Sequence, residues 1–200
     1  MSVKIITREE EEAGMLNYHG DQYNAWQAFC QLNRIRHLWQ SYSSEKKVFE
    51  SHNFYDRVFR CKQPAPVWIS SEVNRTVPKT KKGTPKSGEY TKDHPFSSRL
   101  ATRAILTDHQ WLLDDFEEVF YAEFLKITKT VGVTPDENMD VKIESDDNGE
   151  VFIPIIITDR YSHIQFINTQ TSSQRWGLPL DIPDWYLFSE EKRSPARLPI

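Results

Sequence analysis

An α+β fold is what this sequence predicts, and three observations carry the prediction. Apolar residues recur at helical spacing through the first third of the chain. A stretch rich in proline and glycine follows it. Alternating, β-branched segments with a turn signal then gather late. Helices first and strands late favour α+β over an alternating parallel sheet. The 200 residues allow one domain with extensions or two small ones.

The first helix is expected over residues 21–42, with Asp21 as its cap. Trp26, Phe29, Leu32, Ile35 and Trp39 fall three or four apart, the spacing of one helix face. A second helix is expected over residues 44–60, where Val48, Tyr55 and Phe59 align. The next segment holds Pro64, Pro66, Pro78, Pro85, Gly83 and Gly88. It reads as an irregular linker with a short strand at Val67-Trp68-Ile69. A third helix is expected from Thr107 or Asp108, because Leu113, Phe116, Phe120, Phe124 and Ile127 step by three, four, four and three. Its other side carries Asp114, Asp115, Glu117, Glu118 and Glu123, a solvated face.

Beyond it, Val141 to Glu144 alternates and Asn148-Gly149 offers a turn with positive φ. Val151-Phe152-Ile153 then resumes the alternation, so a β-hairpin is expected there. Pro154 confines the following apolar run to an edge or a bulge. Ile164 to Ile167 adds a strand. The tail after Trp176 contains Pro179, Pro183, Pro195 and Pro199 with Trp185, Tyr186 and Phe188. It is expected to drape over the domain or dock on a partner. The organisation expected is a helical unit over 1–62, a basic linker over 63–87, a core over 88–175 and the tail over 176–200.

Composition narrows the function. Mean hydropathy is −0.64, and the most apolar segment, residues 151–157, is strand-sized rather than membrane-sized. The N-terminus has Glu9 to Glu12 and no apolar leader. Cys30 and Cys61 are the only cysteines, too few for a thiolate zinc site or a disulfide framework. The chain therefore reads as cytosolic, without a membrane partner. Net charge is −4, yet the charge is unevenly spread. Between Arg75 and Lys92 six cations face Glu89 alone: Arg75, Lys79, Lys81, Lys82, Lys86 and Lys92. Such a strip can hold phosphates on an otherwise acidic protein. It is equally the composition of a solvated loop.

Chemistry is concentrated in two short stretches. Tyr90-Thr91-Lys92-Asp93-His94-Pro95-Phe96 sets an acid beside a histidine just after the basic strip. Thr134-Pro135-Asp136-Glu137-Asn138 sets acids and an amide at a helix start. Histidine is a competent base near neutral pH. A carboxylate and an amide oxygen suit a hard divalent ion such as Mg²⁺ or Mn²⁺. The same residues have plainer uses. Asp93-His94-Pro95 is a normal turn, and Thr134 with Glu137 is a normal capping box. His109 is a weaker ligand candidate. His163 reads as structural or exposed, and His19, His37 and His52 in the N-terminal unit have no acid-rich partner set. Cys30 reads as a packed thiol.

Thr91-Lys92-Asp93-His94, then Ile105-Leu106, then Val133-Thr134-x-Asp136-Glu137-Asn138 resembles a group of HNH-type homing endonucleases of phages and organelles. That group carries a Thr-(Arg/Lys)-Glu-His block, an Ile-Leu pair and a Thr-x-Glu-Glu-Asn block. The likeness covers residues 88–142. Asp93 stands where the group has Glu, and Pro95 stands where an aromatic is common. The resemblance implies a small ββα-metal unit between the helical unit and the hairpin region. In it His94 is general base, Asp93 and Asn138 approach Mg²⁺ or Mn²⁺, and Lys92 approaches phosphate, with no zinc expected. It further implies double-stranded DNA as partner, bound by Arg75, Lys79, Lys81, Lys82 and Lys86. A homodimer is compatible with it, and a phage protein would work in the host-cell cytoplasm. The competing reading is a non-catalytic protein whose basic loop and aromatic tail bind nucleic acid or another protein.

Overall fold

The computed structural model describes residues 5–61, 65–138, 144–145, 151–152 and 157–186. Among these the fold is α+β, as the order of elements in the sequence implies. Helix α1 (Arg8–Asn17) opens on a capping box. Thr7 Oγ1 accepts from the Glu10 amide and Glu10 Oε2 accepts from the Thr7 amide. Helix α2 (Gly20–Ile35) starts after His19, with Asp21 inside its first turn. The expected helix to residue 42 ends early. A short 3₁₀ turn, Trp39–Ser41, follows it and keeps Trp39 buried. Helix α3 (Ser44–Arg60) has the expected bounds, because Ser43 caps it by accepting from the Lys46 amide.

Strand β1 (Trp68–Ser70) lies one residue beyond the expected segment, and Ser70 then caps the single-turn-and-a-half helix α4 (Ser71–Thr76). Strand β2 (Thr91–Asp93) precedes α5 (Ser98–Thr107), which Ser97 caps. The long helix expected from Thr107 or Asp108 is broken. It becomes a 3₁₀ turn (Gln110–Leu113), a π-helical turn (Phe116–Phe120) and α6 (Tyr121–Ile127). The break has a local cause. Asp115 is extended, and its side chain accepts from the Glu118 amide, so a new helix starts there. Leu113, Phe116, Phe120, Phe124 and Ile127 are nonetheless all buried.

Strands β3 (Val131–Val133), β4 (Glu144–Ser145) and β5 (Val151–Phe152) follow, then α7 (Ile157–Arg160), β6 (Gln165–Asn168) and β7 (Gln174–Trp176). β4 and β5 pair antiparallel, in agreement with the expected hairpin. Its Asn148-Gly149 turn, Pro154 and the tail from residue 187 lie outside the described residues. The other strands form one sheet in the order β2-β3-β1-β6-β7, with only the β1–β3 pair parallel. The antiparallel partner of β2 is β3, which arrives after α5 and α6, so these strands do not form a local hairpin.

Register decides what each site residue faces. Lys92, Ile69, Ile167 and Gln174 are paired across the sheet, Lys92 and Ile69 through Gly132, so their side chains share one face. That face carries a small cluster of Ile69, Val73 and Val77 with Tyr90. Asp93 pairs with Val131 and points to the opposite face. There Val131, Val133 and Phe166 join a continuous core that also holds Trp26, Phe29, Phe54 and Phe120. The N-terminal helices and the site strands therefore share one interior. Asn33, on α2, ties it together: its side chain accepts from the Ile6 amide and donates to the Leu113 carbonyl. Among the described residues no helix is long and apolar enough to cross a membrane.

The α1–α2 contact gives a first prediction. Gly14 lies against the Trp26 indole, and a Cβ there would sit 2.1 Å from Cε2. In an open helix interior Gly→Ala stabilises by about 1 kcal/mol. Here the indole is buried and its Nε1 donates to the Glu11 carbonyl. Gly14→Ala should therefore destabilise, by about 1–3 kcal/mol, as read by urea unfolding.

Candidate active site

Strand β2, the turn after β3 and the end of α7 meet at one buried point. β2 delivers Asp93, only 8% exposed. Residues 135–138 form a turn and not the expected helix start, and the Thr134–Glu137 bonds expected of a capping box hold that turn. Glu137 Oε2 accepts from the Thr134 amide at 2.9 Å, and the Glu137 amide donates to Thr134 Oγ1 at 3.2 Å. Ser70 Oγ also donates to Glu137 Oε2 at 2.6 Å, which anchors the turn to β1. Glu137 is thus occupied in structure, and Asn138 follows it.

Asp93 and Asn138 converge on the same nitrogen. Arg160 Nη2 donates to Asp93 Oδ2 at 3.0 Å and to Asn138 Oδ1 at 3.5 Å. The Tyr161 hydroxyl donates to the same Asp93 Oδ2 at 2.5 Å. The Arg160 guanidinium also lies 5.0 Å from the centre of the Tyr161 ring, within cation–π range. Burial, then the Asp93 charge, pushes the Tyr161 phenol far above its ordinary value, so it stays a proton donor to Asp93.

His94 follows Asp93 at the end of β2 and is half-buried. The Tyr55 ring of α3 meets it edge-on, 6.3 Å between centroids. Burial holds the His94 imidazole below its usual pKa, and Lys92 acts in the same direction, while Asp93 opposes them. The net result is a neutral imidazole at pH 7, which can accept a proton. Lys92 leaves the sheet on the other face, beside Tyr90 and Ile69 rather than beside Asp93.

The basic strip folds into a tight bridged turn. Lys79 and Pro85 form a β-bridge, the Thr80 amide donates to the Thr84 carbonyl at 2.7 Å, and Gly83 turns the tip with φ of 78°. Lys79, Lys81, Lys82 and Lys86 are all exposed. Arg75 is paired with Glu72 on α4, and Lys79 donates to Asn74. The remaining candidates are placed elsewhere. His109 stands at the start of the 3₁₀ turn and His163 is exposed after α7. Cys30 and Cys61 are unbridged and buried, and burial pushes both thiols up to about 12, so neither is a nucleophile at neutral pH.

Sequence reasoning missed Arg160, Tyr161 and Tyr55. One signal was present. Arg160 is the single Lys or Arg between Lys142 and Arg175, a lone cation in an apolar and acidic stretch. Among the described residues no three His, Cys, Asp or Glu side chains gather in a metal-holding group. The donor chemistry at Asp93 and Asn138 still fits a hard cation, because a carboxylate oxygen and an amide oxygen address one point. Mg²⁺ commonly takes only one or two protein oxygens and keeps water elsewhere. In this structure a guanidinium fills that point.

The fold and site define an α+β protein with a buried cluster of acid, amide, arginine and phenol beside a neutral histidine. Comparison with family models, with curated proteins and with solved structures gave no match.

Proposed function

We propose that this chain is a metal-dependent, HNH-like DNA endonuclease that hydrolyses phosphodiester bonds. The observation that carries the reading is the convergence of Asp93 and Asn138, from distant segments, on one cation, with His94 next to Asp93 in the chain. The three residues come from segments far apart in the chain, 67 residues between Asp93 and Arg160 and 22 between Asn138 and Arg160. In the proposal His94 accepts the proton of the attacking water. Asp93 and Asn138 hold Mg²⁺ or Mn²⁺, which when bound polarises the phosphoryl group. The partner is double-stranded DNA. Lys79, Lys81, Lys82 and Lys86 lie along its backbone, and Arg75 and Lys92 add charge from the same side of the sheet.

Plasmid nicking with Mg²⁺ or Mn²⁺, against an EDTA control, tests the reaction directly. Metal-dependent nicking is expected, and its absence at every metal concentration would end the endonuclease reading. DNA binding is tested separately. Neutralising Lys79, Lys81, Lys82 and Lys86 together should make the negative slope of log affinity against log salt shallower by about 3–4. An unchanged slope removes the strip from the interface.

One observation favours a second reading. Arg160 and Tyr161 satisfy Asp93 completely enough to make the cluster a structural clamp. The protein would then bind nucleic acid through the basic hairpin without cutting it.

A further inference from the structure

We infer that Arg160 is a built-in counter-cation that competes with a divalent ion for Asp93 and Asn138, so that metal enters only when the guanidinium withdraws. The inference rests on the metal seat assigned in the endonuclease reading and adds a control element to it.

The argument begins with geometry. One nitrogen of Arg160 lies 3.0 Å from Asp93 Oδ2 and 3.5 Å from Asn138 Oδ1. A Mg²⁺ ion sits about 2.0–2.1 Å from its oxygens and brings its own water shell. The two cations cannot share the point, for lack of room and because like charges repel there. Burial raises the stakes. The Asp93 and Arg160 side chains are only 10% and 13% exposed, so a cation on Asp93 is required for either state to be stable. Exchange of one cation for another keeps that balance, whereas simple departure of Arg160 would not.

The fold also offers Arg160 somewhere to go. It is the last residue of α7, a helix of four residues, so its side chain leaves from a helix end. Its guanidinium already overlies the Tyr161 ring. A short swing off Asp93 leaves that contact available. Tyr161 meanwhile keeps its hydroxyl on Asp93 Oδ2 and holds the carboxylate in place for the incoming ion. Tyr161 is 1% exposed, so this brace is fixed by packing.

The test uses the full chain and Mn²⁺ alone, with free Mn²⁺ followed by electron paramagnetic resonance. Arg160→Gln should bind Mn²⁺ at least about fivefold more tightly than the unaltered protein, the lower end of ordinary site–site coupling. Its melting temperature should be lower in EDTA and should rise more on adding Mn²⁺. Adding Asp93→Asn to Arg160→Gln should abolish the gain. Arg160→Lys keeps a charge against Asp93 and so protects folding, and its compact ammonium reaches both oxygens less well. It should show a smaller gain in the same direction.

Equal or weaker Mn²⁺ binding in the folded Arg160 variants would overturn the inference, as would a gain that survives Asp93→Asn. The two proposals can fail separately. Metal-dependent nicking without any Mn²⁺ gain leaves the endonuclease and removes the competition. A gain dependent on Asp93 in a protein that never nicks DNA leaves the competition and removes the endonuclease.

Discussion

Replacing His94 by Gln should cut single-turnover DNA cleavage by about 10²–10⁴-fold, the usual worth of a positioned base. DNA affinity should hold, because a base acts on the transition state and not on ground-state binding. Glutamine preserves size and polarity, so the Tyr55 contact is least disturbed. The pH profile adds a signature that a structural histidine lacks. Burial holds the folded imidazole below its ordinary value near 6.5. Cleavage should therefore persist to a lower pH than an ordinary imidazole base would allow, and fall as the folded base is protonated.

Stability should respond as well, and its sign follows from linkage. Below about pH 6.5 the unfolded chain takes up a proton at this residue that the folded chain resists. Stability contributed by the neutral imidazole is present above that pH. It is lost as pH falls from there toward the depressed folded value. His94→Gln should remove this part of the slope. Cleavage by His94→Gln at the rate of the unaltered enzyme would remove His94 from the mechanism. Loss of cleavage with an unchanged pH dependence of stability would argue against the buried, neutral imidazole.

Much of the helical part of the fold was legible because its signals are local. Ser43 caps α3 through a bond that spans three residues, and the helix ran where expected. The stripe from Leu113 to Ile127 was correct about burial and incorrect about continuity. Periodicity reports which side faces inward. A 3₁₀ turn and a π turn in succession kept that side inward while Asp115 restarted the helix. Helix α5 was not anticipated, although Leu100, Ala101, Ala104 and Ile105 recur at helical spacing and are all buried, a signal as local as the others. Strands β3 and β7 are three residues each, too short for alternation to register; the short strand β2 falls where one was expected, at Asp93-His94.

The site divides along the same line. Thr134 and Glu137 cap one another across three residues, and the sequence contained that pairing. The pairing of Arg160 and Tyr161 with Asp93 spans 67 and 68 residues. Only the sheet order, which sets β2 beside β3 and brings α7 over their ends, creates it. Asp93 and Lys92 were both candidates for one site. Strand alternation sends them to opposite faces, so phosphate contact by Lys92 and ligation by Asp93 need DNA to reach around the edge strand β2.

Asp93→Ala should destabilise the fold by about 3–5 kcal/mol, the cost of leaving one member of a buried ion pair without its counter-charge. The Arg160 side chain that would be stranded is 13% exposed. The Tyr161 hydroxyl, fully buried with its ring, would lose its acceptor at the same time. Asp93→Asn should cost less, because an amide oxygen can still accept from Tyr161 and from Arg160. Asn138→Ala should cost much less than either, since its bond to Arg160 is long at 3.5 Å. Urea unfolding in EDTA gives the order directly: Asp93→Ala worst, Asp93→Asn between, Asn138→Ala mildest. Metal dependence must rank the residues differently if Asn138 is a ligand. Asn138→Ala should then raise the Mg²⁺ concentration needed for half-maximal cleavage while barely shifting the unfolding midpoint. A structural clamp predicts the reverse, in which every loss of activity follows the loss of stability. Agreement of the two rankings across the three variants would assign Asp93 and Asn138 to the fold alone.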